Sequence, residues 1–206
     1  MQENHLEIIR RYKSIAHLPD FLFAFTFPLR RKAVKRLNLH AGAAVLEIGC
    51  STGANFKYLR QAVGATGHVT GVDLSPEMVV QANKRVKKMG WQNVSVMEAA
   101  AESATFENQF DGLLLFAMHD VLTSPQALDN LLKYLKPGAR VVTAGPQLAN
   151  HFPGTILNPL INQVYARFSF SQLDKDQPNR ILAEKVKDLK VELLGPGLMY
   201  LAWGTI

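Results

Sequence analysis

Residues Val45–Ala62 read VLEIGCSTGANFKYLRQA, a strand of buried character that runs into a glycine turn and then into a helix. Gly49 and Gly53 let the backbone come close to a ligand that a Cβ would repel, and the start of the following helix offers free amides to it. The turn matches neither of two common phosphate-binding patterns: Ser51 stands where GxGxxG needs its second glycine, and no GK[ST] follows. Asp73 adds a second point, because it ends the next apolar run, HVTGVD, about 20 residues after Gly53. A carboxylate at that spacing can accept both hydroxyls of a ribose, the role such an acid plays in nucleoside-binding α/β folds. Ser75 already offers a helix cap, which weakens a plain capping role for Asp73.

Outward from this segment, from about residue 43 to 144, short apolar or β-branched runs alternate with amphipathic stretches, the pattern of a parallel sheet with crossover helices. AAVLEIG, HVTGVD, NVSVMEA, FDGLLLFA and ARVVTAG read as strands. Asn55 to Val63, Pro76 to Met89 and Pro125 to Leu135 read as helices. In DLSPEM, Ser75 is the N-cap, Pro76 fits the first helical position and Glu77 complements the dipole; Lys87, Lys88 and Gly90 suit the far end. Near the C-terminus, VELL and LMYLAWGTI flank the turn formers GPG and read as an antiparallel pair with one reversed strand. Residues 145 to 190 hold no strand run; GPQLANHFPG reads as a loop, followed by a helix near Leu157 to Phe168. In the first 40 residues two helical stretches, Glu3 to Ala16 and Pro28 to Leu37, are joined by LPDFLFAFTF. Its phenylalanines form an apolar patch that either packs on the main core or serves as a lid over a greasy substrate or a membrane contact. The organisation expected is a helical lid or cap over residues 1–40 and one compact domain over 41–206.

Composition sets the bounds. A chain of 206 residues, 48% hydrophobic and 19% charged, is of a size and balance for one soluble globular domain. The opening MQENHLEIIRR lacks the apolar core of a secretory signal, and no apolar run reaches the roughly 18 residues of a spanning helix, so a cytoplasmic protein is expected. Cys50 is the one cysteine, which rules out an internal disulfide and a cysteine-cluster metal site; no metal is expected. The net charge of +6 gathers in Arg10, Arg11, Lys13, Arg30, Arg31, Lys32, Lys35 and Arg36 and again in Lys84, Arg85, Lys87 and Lys88. Such runs are solvated helix faces on the plain reading, and on the functional one they attract nucleic acid, an anionic lipid surface or an acidic substrate.

Four stretches together resemble the class I methyltransferases that use S-adenosylmethionine. LEIGCSTG is similar to their first motif, commonly ExGxGxG, with Glu47, Gly49 and Gly53 in matching places and Ser51 replacing the middle glycine. GVDLSPEM resembles the second motif, FDGLLLFAMHDV the fourth-strand region and LKPGARVV the fifth, in the right order over roughly residues 40 to 145. The resemblance implies an α/β fold, three-layered and Rossmann-like, with a mainly parallel seven-stranded sheet and a C-terminal antiparallel strand. It implies that Gly49 and Gly53, with Cys50 and Ser51 between them, border the methionine moiety, that Asp73 holds the ribose, and that Leu74 and Met78 cover the adenine faces. Leu74 and Met78 fit core positions equally well. Glu47 would orient the methionine end indirectly, and the backbone near Phe116 would line the sulfonium. Tyr12, in RRYKSIA, resembles a lid tyrosine near the methionine group. The family often carries a GDA-like run after its third strand, whose acid bonds the adenine amino group; this chain has EAAAE, with Ala100 at the acid's place and Ala101 beside it. Glu98 and Glu102 are out of register, which leaves three alternatives: adenine recognition by backbone and packing, a reduced cofactor affinity, or a loss of cofactor use. Closer resemblances are to the ubiquinone and menaquinone methyltransferases and, through RRKAV, GWQNV and LMYLAWG, to bacterial phosphatidylethanolamine N-methyltransferase-like proteins. These imply a small-molecule, hydrophobic or lipid-like acceptor and a peripheral membrane contact.

A sulfonium donor is already activated, so methyl transfer needs mainly an in-line approach and a desolvated pocket. A base is required for a phenol, an enol or a protonated amine, and His119 and Asp120 are the candidates beside the expected cofactor mouth, against a capping or packing role. Cys50 has no partner base marked in the sequence and reads as a packing residue within the turn. Two other readings compete. An RNA or protein methyltransferase is favoured by the charge, but FAMHD stands where a [DN]PPY-like motif would be and no separate nucleic-acid module is visible. A non-catalytic binding protein on the same scaffold is motivated by Ala100 and the altered glycine turn.

Overall fold

The computed structural model describes residues 25–166 and 179–206. In chain order the elements are α1 (Phe27–Arg36), β1 (Ala44–Ile48), α2 (Phe56–Val63), β2 (His68–Asp73), α3 (Pro76–Lys88), β3 (Val94–Glu98), β4 (Phe110–Phe116), α4 (His119–Leu122), α5 (Pro125–Leu132) and β5 (Leu135–Pro146). A 3-10 turn (Gly154–Leu157), α6 (Asn158–Ala166), α7 (Arg180–Lys185), β6 (Lys187–Leu194) and β7 (Met199–Thr205) complete them. One seven-stranded sheet runs β3-β2-β1-β4-β5-β7-β6. Its first five strands pair in parallel, and β7 alone is reversed, lying antiparallel between β5 and β6. The expected α/β, Rossmann-like, mainly parallel sheet is therefore observed, with the reversed strand inside the C-terminal pair.

Continuous apolar runs suit strands covered on both faces, and alternation divides them between two cores. Leu46, Ile48, Leu113 and Leu115 pack with Leu128 and Leu131 of α5 and Leu182 of α7. Val45, Leu114 and Phe116 pack on the opposite side with Leu29, Ala33 and Val34 of α1, Phe56, Leu59 and Val63 of α2 and Ala82 of α3. The same alternation sends Glu47, two residues after Val45, toward α1 and α2.

Local signals set the helix boundaries. Ser75 Oγ accepts from the Met78 N–H at 3.4 Å and Pro76 opens α3. Gly90, at φ +64°, closes the helix while Trp91 N–H donates to the Val86 carbonyl at 3.1 Å. Ser124 and Pro125 repeat the device for α5, with Ser124 Oγ accepting from Ala127 N–H at 3.2 Å. Other boundaries differ from expectation. α5 stops at Leu132 because Leu135 already pairs with Phe110 in the sheet, which lengthens β5 at its start. α4 has four residues, too few to show a period, and α7 is likewise short. β6 begins at Lys187, inside the stretch expected to lack strands, because Lys187, Asp188 and Lys190 lie on an exposed edge where charge is tolerated. The helix expected from Pro28 is α1, and the one near Leu157 is α6 as far as residue 166; Glu3 to Ala16, Phe21 and Phe23 lie outside the described residues.

The basic run on α1 is not a plain solvated face. Lys32 and Arg36 both pair with Glu192 of β6, and the Arg36 guanidinium lies 4.1 Å over the Trp203 ring of β7. Among the described residues no helix is long and apolar enough to cross a membrane.

Phe56 joins the glycine turn to the sheet. Its side chain is fully buried, and a Cβ added at Gly53 or at Gly71 of β2 would come within 2.5 Å of its ring. Phe56→Ala is expected to cost about 3–5 kcal/mol of stability, since the strands beneath cannot collapse into the space. Chemical denaturation followed by circular dichroism measures this, and a loss under about 1 kcal/mol would show that the ring is not what supports the turn.

Candidate active site

The strand order changes direction between β1 and β4, and the crevice outside the carboxyl ends of the strands at such a switch point is where open α/β sheets bind ligands. The chain leaves β1 through Gly49 (φ +67°), Cys50, Ser51 (φ +52°) and Gly53 (φ +76°), a turn of left-handed residues. A serine at such an angle costs about 1–2 kcal/mol, which is why glycine suits the position. Here Ser51 N–H donates to Asp73 Oδ2 at 2.8 Å and Ser51 Oγ lies 3.3 Å from Met78 Sδ, contacts that offset the cost. The sequence departure at position 51 leaves the turn intact.

Asp73, at the end of β2, ties the turn to the next helix. Besides the bond from Ser51, its Oδ1 accepts from Ser75 N–H at 2.9 Å. Burial raises its pKa above the usual carboxylate value, opposed by the backbone N–H groups of Ser75, Ser51 and Leu74. Met78 is buried at 2% exposure beneath the turn, whereas Leu74 stays half-buried. Cys50 is buried and burial pushes its thiol pKa well up, so its environment is that of a packing residue.

Sequence reasoning missed the polar chain beside the turn. Glu47 is 1% exposed, and Asn55 Nδ2 donates to its Oε1 at 2.5 Å. Asn55, also 1% exposed, accepts at Oδ1 from Arg30 Nη1 of α1 at 3.1 Å. Arg30 Nε donates to Thr26 Oγ1 at 2.9 Å, and its guanidinium lies 4.2 Å over the Phe116 ring at the end of β4. Burial lifts the Glu47 carboxyl to a pKa of about 8, with Asn55 and Arg30 pulling the other way. The acid is therefore mostly protonated at neutral pH. The signal available in the sequence was a polar Asn two residues after Gly53; Arg30 was hidden in a basic run.

The end of β4 supplies the opposite wall. Ala117 is exposed at φ +59°, and Met118 folds back over the turn: a Cβ on Gly49 would lie 2.0 Å from Met118 Sδ. His119 opens α4 at 2% exposure, its ring edge-on to Tyr200 at 5.8 Å between centroids. Burial lowers its pKa to about 4, against a weaker opposing pull from Asp120, so the imidazole is neutral near pH 7. Asp120 is half-buried.

After β3, Ala100 is half-buried and its carbonyl accepts from the N–H groups of Ser103 at 3.1 Å and Ala104 at 2.8 Å. Asn130 of α5 bonds the carbonyls of Ala101 and Ala104, both at 2.9 Å, and so fixes this turn from the other side. The structure thus gathers Glu47, Gly49, Cys50, Ser51, Gly53, Asp73 and Met78 around the turn, with Phe116 linked to them through Arg30. His119 is set back against Tyr200, and Tyr12 lies outside the described residues.

Comparison with known proteins bears on this arrangement. The family model described as "Methyltransferase domain" matches residues 45–138. A demethylmenaquinone methyltransferase of Oceanobacillus iheyensis is 30% identical over 183 residues, which covers 82% of this chain and 74% of that protein. Aklanonic acid methyltransferase DauC of a Streptomyces species is 33% identical over 134 residues, 63% of this chain and 60% of that one. In fold, the N-methyltransferase NodS of Bradyrhizobium japonicum, solved with S-adenosyl-L-homocysteine, superposes with a TM-score of 0.70 at 19% identity, covering 96% of this chain and 97% of the other. Motif order, sheet topology and relatives agree, and the chain belongs to the class I S-adenosylmethionine-dependent methyltransferases.

Proposed function

We propose that the crevice at the β1–β4 switch point carries a methyl group from S-adenosylmethionine to a small hydrophobic or lipid-like acceptor. The observation that carries this reading is the Asp73 carboxylate, which fastens the glycine turn to the start of α3 at the end of β2. One feature of the residues fits the cofactor: Glu47 Oε2 is a buried acceptor with no hydrogen-bond partner among the described residues.

In this reading the turn of Gly49, Cys50, Ser51 and Gly53 borders the methionine moiety and Glu47 orients it. Each Asp73 oxygen keeps a lone pair beyond its backbone bond, enough for two ribose hydroxyls. Leu74 covers the adenine from one side, Met78 supports it from beneath, and, next to Ala100, the Ala101 carbonyl keeps a lone pair beyond its bond from Asn130 and stands in for the missing acid. Phe116 lines the sulfonium side. When bound, the cofactor supplies a methyl carbon already activated for displacement, so the chain has to align the acceptor and exclude water. A buried imidazole with a pKa near 4 is a weak proton acceptor, which favours His119 as an orienter of the acceptor loop and leaves Asp120 as the candidate base.

Two observations support an apolar acceptor. The relatives named above act on demethylmenaquinone and aklanonic acid, by their names. Phe152, Ile156, Leu157 and Leu160 are exposed in a stretch from Gln147 to Ala166 that contains no Asp, Glu, Lys or Arg. A surface of this kind suits contact with an apolar acceptor or with a lipid surface.

Calorimetric titration tests the cofactor site: wild type should bind S-adenosylmethionine and S-adenosylhomocysteine, and Asp73→Ala should weaken both by about 10- to 100-fold, the loss of charge-assisted hydrogen bonds worth about 1.5–3 kcal/mol. Absence of binding by wild type would overturn the reading. Once an acceptor is found by mass shift, His119→Ala should lower kcat without altering the shape of the pH profile between about pH 6 and 8, because the native imidazole stays neutral throughout. An acid limb in that range that vanishes in the variant would instead make His119 the base.

A further inference from the structure

We propose that Arg30 is a positioning residue of the cofactor site: it fixes Asn55, and Asn55 fixes Glu47 so that Oε2 is held as the acceptor for the ammonium group of the methionine moiety. The inference rests on the cofactor reading above and extends it to a helix that lies before the sheet.

The chain of bonds allows one arrangement. Arginine has donors and no acceptor, so the Asn55 atom facing Arg30 must be Oδ1, which turns Nδ2 toward Glu47. Glu47 Oε1 must then accept, and any proton on the carboxyl sits on Oε2, the oxygen without a partner among the described residues. Arg30 is held by Thr26 Oγ1 and by the Phe116 ring as well as by Asn55, so the planar guanidinium has little freedom to rotate. A lysine could carry the charge but not this fork. The groups that act on the Glu47 charge are Arg30 of α1, which favours the ionised form, and Asp73 at the end of β2, which opposes it together with the larger effect of burial; the Cys50 thiol of the turn lies within the same field.

Placing an ammonium at Oε2 has a proton balance that can be measured. The O–H bond on Oε2 breaks, its proton goes to the buffer, and the freed oxygen accepts an N–H of the ammonium. With a carboxyl near pKa 8 before binding and a lowered value after it, one proton is released per site below about pH 8, and release fades above it as the free protein becomes ionised on its own. Removing Arg30 takes away a stabiliser of the carboxylate, so the pH at which release fades must move up.

The experiment is titration calorimetry with S-adenosylhomocysteine, in two buffers of different ionisation enthalpy, on wild type, Arg30→Met, Asn55→Ala, the double variant and Glu47→Gln. Each of the first two substitutions should weaken binding about tenfold, and the double variant should be no weaker than the worse single one, because the residues act in series. Wild type should release close to one proton near neutral pH, Glu47→Gln none, and Arg30→Met should continue to release at higher pH than wild type. A residue with only a structural role would shift affinity but leave the pH of release in place. If thermal melting shows Arg30→Met unfolded, Arg30→Lys takes its place and should weaken binding while melting like wild type. Additive costs, wild-type affinity in the arginine variant, or proton release retained in Glu47→Gln would each overturn the proposal while leaving the cofactor site standing; no binding by wild type would overturn the site reading beneath it.

Discussion

Two backbone N–H groups from different loops, those of Ser51 and Ser75, end on the one carboxylate of Asp73. Burial makes ionisation of that group costly, and the N–H groups reduce the cost, so neither loop can move without exposing or orphaning a charge. The left-handed angles of Gly49, Ser51 and Gly53 persist because this anchor over-determines them, with Phe56 filling the space below. The rest of the crevice is arranged around that fixed turn: β4 delivers Met118 onto Gly49, and α1 delivers Arg30 onto Phe116 and Asn55.

How much of this could be read from the residues follows from the range of each signal. Strands β1, β2 and β4 are legible because their runs are mostly apolar and largely buried; β2 falls where HVTGVD places it. α3 is legible because Ser75, Pro76 and Gly90 act within a few residues of the ends they define. The start of β6 was not, because Lys187, Asp188 and Lys190 lie on an edge strand where solvent tolerates charge. α4 is shorter than two helical turns and carries no period at all.

The site divides in the same way. Gly49, Gly53 and Asp73 could be found because backbone angle and spacing constrain them within a short stretch. The links from Glu47 to Asn55 and Arg30 could not, since one of these bonds joins residues 25 positions apart and nothing in RRKAVKR distinguishes Arg30 from its basic neighbours. The run resolves only in three dimensions, where Arg30 turns to the crevice and Lys32 and Arg36 turn to Glu192. Burial likewise sets the character of His119 and Glu47 in opposite senses, a base made weaker and an acid kept neutral, and sequence carries no direct sign of either.

The clasp of α1 on the last two strands has a consequence for the order of assembly. Lys32 and Arg36 meet Glu192 across 160 and 156 residues of chain, and Arg36 also stacks on Trp203. Contacts so distant along the polypeptide form slowly and, during synthesis, only after nearly the whole domain has left the ribosome. The helix that holds Arg30 over the crevice therefore gains its last anchors only once β6 and β7 have emerged, so that a nascent chain can contain the full glycine turn and Asp73 and still lack a finished wall beside them.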